Sequence, residues 1–246
     1  MAADESDQSP WTRPGFVAAA IVVALVLVLA AVLGVNALRK DDGEQPPPPV
    51  ATGTPEPTPS ETADAAGDES VCGLEGVELT GTVTTAPEAE WDLIGTTAAP
   101  TSPTAGPGVI EPSGLRYCYA RTPEGALLAA ANLFAMSAEP SLIRAMIEQS
   151  AADGPGRDVL LGMPEPTPGP STVRAQIAGF QLLEYDGARA TVDVAVRTSN
   201  NTQGAFPYML VWEDGDWKMR VRDDGSPFAA PTQLPDLAGY VPWGGA

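Results

Sequence analysis

The chain has 246 residues, with 13 basic against 32 acidic side chains, a net charge of −19 and no histidine. A Ser-His-Asp triad, a Cys-His dyad and any histidine-containing metal site are thereby excluded, and two cysteines cannot build a four-cysteine zinc site. The acidic balance argues against nucleic acid as a partner, and no residue pattern calls for a cofactor.

The chain opens on an acidic stretch, residues 1–14, with one arginine. Residues 16–35 then read FVAAAIVVALVLVLAAVLGV, with no charged or strongly polar side chain. At about 1.5 Å per residue, twenty such residues span about 30 Å, the thickness of a bilayer's hydrocarbon core. Residues 15–38 are therefore read as one transmembrane helix, with Trp11 as an interfacial anchor. A cleaved signal peptide is the competing reading, because Val35-Asn36-Ala37 resembles a cleavage site. Signal peptides normally have an apolar run of about 7–15 residues after a basic start, which this chain lacks. Arg13 precedes the helix, and Arg39 and Lys40 follow it. That one-charge excess favours a cytoplasmic C-terminal part, whereas the cysteine pair and the stalk-like linker argue for the outside. The expectation is a single-pass protein of the cell membrane, with residues 1–14 in the cytoplasm and the C-terminal domain outside it.

Residues 39–70 hold Pro46 to Pro49 and almost no large apolar side chain. Such a segment cannot bury enough surface to offset its ordering entropy, so it reads as a disordered linker of polyproline II character. At ~3.1 Å per residue it is long enough to lift a domain off a membrane. Residues 71–246 form the working domain, with its core at 115–225. A loose, proline- and glycine-rich surface excursion is expected at 96–113. Cys72 and Cys118 flank that excursion and are expected to pair in an oxidising compartment; two unrelated buried thiols are the alternative.

Thr122-Pro123-Glu124 is a helix start: a hydroxyl cap, proline at the first position and an acid in the first turn. Leu127, Leu128, Ala131 and Phe134 follow at helical spacing, and Pro140 or Ser141 opens a second helix with Leu142, Ile143, Met146 and Ile147 as its stripe. A short third turn is expected at 157–161, before the breaker at 164–170. The pattern then alternates. Residues 173–185 read as a strand with a bulge near Gly179, and residues 188–198 as the clearest strand, with Ala190, Val192, Val194 and Val196 on one face. Phe206, Tyr208, Leu210 and Trp212 alternate in a third strand. In a fourth, Trp217, Met219 and Val221 face inward, with Lys218, Arg220 and Arg222 outward. Asp186-Gly187 and Asp214-Gly215 are hairpin turns. Helices first and an antiparallel meander afterwards mean an α+β fold, with helices packed on a curved antiparallel sheet.

This order of elements, closing on the hairpin VWEDGDWKMRV at 211–221, resembles the nuclear-transport-factor-like cone, a cystatin-like α+β fold. A short tail, one membrane helix, a stalk and such a domain resemble the bitopic scaffold proteins of bacterial conjugation and type IV secretion. They also resemble membrane-anchored proteins of mycobacterial lipid-import complexes. The resemblance implies a non-enzymatic scaffold or adaptor of an envelope complex, conjugative transfer foremost, or alternatively an anchored domain binding a lipid or peptide. It supplies no catalytic residues. The implied partners are the lipid bilayer, other envelope or secretion proteins and further copies of the chain, with no nucleic acid. Catalytic, cofactor and metal residues are all expected to be none. The acids Glu213, Asp214, Asp216, Asp223 and Asp224 read as solvated turns rather than a calcium site. Trp212 and Trp217 read as core rather than as the lining of a ligand cone. The candidate interaction surface is Tyr117, Tyr119, Tyr240 and Trp243, with the apolar terminal run 240–243 docking on the domain or on a partner.

Overall fold

In the computed structural model, residues 69–164 and 174–245 are described, and all lie within the compact unit Ser60–Ala246. The expected tail and membrane helix, nearly all of the expected linker, most of the expected breaker and the position of Val173 lie outside the described residues.

Two small hairpins precede the helices. Strands β1 (Glu90–Ile94) and β2 (Thr97–Thr101) pair antiparallel, as do β3 (Val109–Ile110) and β4 (Arg116–Tyr117). Helix α1 (Pro123–Ser137) begins where its cap residues predict: the Thr122 hydroxyl accepts the Gly125 N–H at 3.0 Å, with Pro123 in the first turn. A 3₁₀ turn (Pro140–Leu142), α2 (Ile143–Ser150) and α3 (Pro155–Gly162) follow. The predicted second helix thus opens as a tighter turn, because Pro140 at its start supplies no N–H and Glu139 caps Ser141 instead.

The remainder is the meander: β5 (Ala175–Tyr185), β6 (Arg189–Thr198), β7 (Gln203–Glu213) and β8 (Asp216–Met219), each antiparallel to the next. Two short strands complete the sheet. Strand β9 (Thr232–Leu234) pairs with the start of β7, and β10 (Val241–Pro242) pairs with β5, giving the order β10-β5-β6-β7-β8. The chain is therefore α+β. Strand β5 shifts register twice against β6, between Ile177 and Gly179 and between Leu182 and Glu184. Each shift adds a residue to β5 and bends it; the second leaves Leu183 exposed. The β7–β8 turn needs left-handed backbone at two successive residues, Asp214 (φ 54°) and Gly215 (φ 74°), which is why an Asp-Gly pair closes it.

Helix α1 is buried almost all round and contacts β2, β4 and α2 as well as β5 to β8. Leu127, Leu128, Phe180, Val192, Val194 and Trp217 share one hydrophobic cluster, none more than 1% exposed. An apolar helix surrounded on every side is a core helix. Among the described residues no single helix is long and apolar enough to cross a membrane.

Part of the segment expected as a loose excursion packs on this core, while the rest is exposed. Strand β2 lies within it, and Thr97, Ala99 and Ala105 are nearly inaccessible. Its small side chains let the chain lie close against α1, where Asn132 Nδ2 donates to the Pro100 carbonyl at 2.9 Å. Cys72 and Cys118 form a disulfide, with α-carbons 6.1 Å apart. The bond spans 46 positions, so the chain-entropy model assigns it roughly 3–4 kcal/mol of stabilisation. Reduction, or Cys72→Ser with Cys118→Ser, is expected to lower the urea midpoint of the full chain accordingly. An unchanged midpoint would show that the unfolded chain gains nothing from its release.

Candidate functional site

The disulfide lies beside a cluster of buried polar groups. Cys118 has left-handed backbone, φ 69°, and its N–H donates to Asp216 Oδ2 at 2.8 Å. Asp216 Oδ1 accepts the N–H of Tyr119 at 2.9 Å and of Trp217 at 2.8 Å. Lys218 Nζ stands 4.0 Å from Asp216 Oδ2 and donates to the Gln149 carbonyl. Burial pushes the Asp216 carboxyl above the ordinary carboxylate value, opposed by the Cys118 N–H, Lys218 and the two other N–H donors. Asp216 is 1% exposed and both of its oxygens are engaged, so it ties β8 to the disulfide-bonded segment and is closed to substrate.

Two sequence expectations fail here. Asp216 is not a solvated turn acid, and Lys218 is buried rather than outward. The short β8 lies under the chain that leaves Cys118 and beside Ala151–Ala152, so both of its faces are covered. Trp217 is core, as expected: it packs against Trp212 at 5.3 Å and Tyr185 at 5.7 Å between ring centres, and its indole N–H donates to the Ala120 carbonyl at 3.0 Å.

Of the four candidate surface aromatics, two are corrected. Tyr119 is 3% exposed, and burial holds its hydroxyl well above the ordinary tyrosine value. Trp243 is 7% exposed; it packs edge-on against Trp91 at 4.9 Å and Phe180 at 5.5 Å and donates to the Pro87 carbonyl. The terminal run docks on the domain itself through β10, and an indole that fills such a seat offers no surface to a partner. Tyr117 is half-buried in the β3–β4 hairpin. Tyr240, also half-buried, donates its O–H to Asp193 Oδ2 at 2.6 Å, and burial with that carboxylate raises its hydroxyl's pKa.

Among the described residues, Asp153, Glu213 and Asp214 bring carboxylate oxygens within 4.8 Å of one another. Glu213 accepts the Asp153 N–H at 2.9 Å and Arg157 pairs with Asp153 at 3.4 Å, so these acids brace the start of α3. Asp223 and Asp224 stand on the exposed turn after β8.

A different concavity was not legible in the sequence. A cleft of about 500 Å³ opens where β5 begins and β6 ends, against the C-terminal strap Trp243–Gly245. Gln176 pairs directly with Arg197, so the two share a face, and Arg174, the residue before β5, lines the same cleft. Gln176 is spent on the β1–β2 turn: its Nε2 donates to the Thr96 carbonyl at 2.6 Å and its Oε1 accepts the Ala98 N–H at 2.9 Å. Arg174 and Arg197 remain exposed, and among the described residues no acidic side chain lines the cleft. Alternation along β6 placed Arg197 outward, but only strand pairing sets Arg174 beside it.

A family model described as a domain of unknown function (DUF8175) matches residues 51–242. No curated protein and no solved structure matches the chain.

Proposed function

Starting from the premise that this chain belongs to the DUF8175 family, we propose that it is a non-enzymatic, membrane-anchored scaffold or adaptor of a bacterial envelope complex, conjugative transfer foremost. Its folded domain stands outside the cytoplasm on a proline-rich stalk. The observation that carries this reading is the Cys72–Cys118 disulfide, which follows a twenty-residue apolar stretch and a linker. Disulfides persist in oxidising compartments, and the stretch at 16–35 has the length of a bilayer span. The two register shifts of β5, with helices packed on the meander, support a nuclear-transport-factor-like cone. A non-catalytic role is supported by Asp216, whose carboxylate is consumed by backbone N–H groups, and by the lack of histidine. The implied partners are the bilayer, other envelope proteins and further copies of the chain. The open cleft beside Arg174 favours a second reading, an anchored domain that binds a small ligand.

The test is topological and biochemical. Proteinase K added to sealed protoplasts is expected to release a disulfide-bonded fragment of the C-terminal domain, and capture of the full chain from native membranes is expected to recover a stable envelope complex. Complete protection of the domain in sealed protoplasts would refute the placement. A monomer carrying a small molecule and no protein would favour the second reading.

A further inference from the structure

We propose that the cleft at the start of β5 and the end of β6 is a phosphate-binding site, with Arg174 and Arg197 as its two forks. The inference stands on the described domain alone and holds whether or not the chain is an envelope scaffold.

The first argument is electrostatic. In a chain of net charge −19 the arginines are few, and most of the described ones are occupied. Arg116 pairs with Asp92, Arg157 with Asp153, and Arg222 donates to the Pro227 and Phe228 carbonyls. Arg121 lies over Trp212 and Arg220 over Phe228. Among the described arginines, Arg174, Arg189 and Arg197 make no side-chain hydrogen bond or ion pair and lie over no ring, and of these Arg174, just before β5, and Arg197, near the end of β6, line one cleft. Two cations facing one cleft repel each other, and an anion between them removes that cost. Among the described residues the walls offer no competing carboxylate. The nearest acid along that face of β6, Asp193, is four residues from Arg197, about 13 Å along a strand, and its Oδ2 is taken by Tyr240.

The second argument is donor geometry. A guanidinium presents a planar fork that matches phosphate oxygens two at a time. Two forks and a hydroxyl can engage a tetrahedral anion from several sides, whereas a carboxylate is satisfied by one fork. Ser199, opposite Arg174, supplies the hydroxyl. Its Oγ accepts the Arg174 backbone N–H at 3.2 Å, which leaves the Oγ–H free to donate into the cleft that Ser199 lines.

The third argument is rigidity. Thr97 Oγ1 donates to the Ala175 carbonyl at 3.2 Å, and Gln176 grips the same turn from its other side. The strap is fixed by Trp243, whose backbone N–H donates to the Ala178 carbonyl and whose indole is buried. Beyond it Gly244 runs so close to the Ile177 carbonyl that a Cβ there would collide with it. Forks mounted on such a frame lose little freedom when the anion arrives. The cleft is large enough to admit a phosphate that carries a further group. The shared chemistry is thus a phosphate, whether free or in a lipid headgroup.

The test uses the full chain with 15N-labelled arginine at physiological salt. The Nε–Hε signals are followed on addition of inorganic phosphate and, separately, of glycerophosphoglycerol, the deacylated headgroup of phosphatidylglycerol. A saturable shift of the Arg174 and Arg197 signals is expected. Arg174→Gln should weaken the shift read at Arg197, and Arg197→Gln the shift read at Arg174, by about tenfold or more, since each removes a charge-assisted contact. Both side chains are exposed, so the thermal midpoint should stay unchanged in each variant; should Arg174→Gln fail to fold, Arg197→Gln alone must show the same direction at Arg174. Saturation by inorganic phosphate only assigns a free phosphate, and saturation by the diester assigns a headgroup. No saturable shift from either probe, or an equal shift in the glutamine variants, would overturn the site.

Discussion

Asp216→Ala is expected to lower the unfolding free energy by about 3–5 kcal/mol, the range for breaking a buried charge pair. Its carboxylate is the acceptor for the Cys118 and Tyr119 N–H groups, and both residues are nearly inaccessible. Without it these donors are stranded away from water, each costing about 1–3 kcal/mol, and Lys218 is left as a buried cation. Water entering the space would recover part of that cost. Asp216→Asn keeps one acceptor oxygen but turns an NH2 group toward a backbone N–H, so an intermediate loss is expected.

The pH dependence has a definite sign. Burial raises the folded-state pKa of Asp216 above its unfolded value. The folded state therefore binds this proton more tightly, and stability from this group is fully present below the unfolded value of about 4. It is lost as pH rises through the folded value. Urea unfolding of wild type and Asp216→Asn should thus show a gap that narrows from acid toward neutral pH. A gap that widens over that range would mean that the N–H donors outweigh burial. An alanine variant with an unchanged midpoint would remove Asp216 from the account of stability.

Trp217→Ala is the second large expectation, at about 3–5 kcal/mol for truncating a fully buried tryptophan. The indole is 1% exposed, meets Trp212 and Tyr185 edge-on or tilted, and satisfies the Ala120 carbonyl just before α1. Truncation leaves a cavity between β8 and the entrance to α1 and removes one of the two donors to that carbonyl, the other being the Thr122 N–H. For a domain of this size 1 kcal/mol corresponds to about 2–4 °C, so the thermal midpoint should fall by about 10 °C. Near-ultraviolet circular dichroism should lose the coupled Trp212–Trp217 signal. Trp212→Ala should cost clearly less, because Trp212 is only half-buried. Equal losses for the two variants would contradict the packing described.

What could be read from the chain alone follows from local chemistry. The Thr122-Pro123 cap, the Asp214-Gly215 turn and the alternation of Ala190, Val192, Val194 and Val196 each act within a few residues, and each marks the element it specifies. The α+β order, the four-stranded meander and a bulge near Gly179 were legible for that reason. Burial and partnership across long separations were not. Asp216 reads as one acid among five near a turn, and only the return of Cys118 over β8, 98 positions away in sequence, makes it a buried acceptor. Tyr119 and Trp243 sit in segments without periodicity, so nothing local shows that they face inward. The stretch after β1 looks loose because prolines, glycines and small residues carry no alternation, yet small side chains are what close approach to α1 requires. The Arg174–Arg197 cleft is the extreme case. One arginine follows a proline-rich breaker and the other ends a strand, and only register, the β1–β2 turn and the C-terminal strap bring two like charges into one recess. Periodicity reports which way a side chain points along its own element, whereas tertiary contact decides what it meets there.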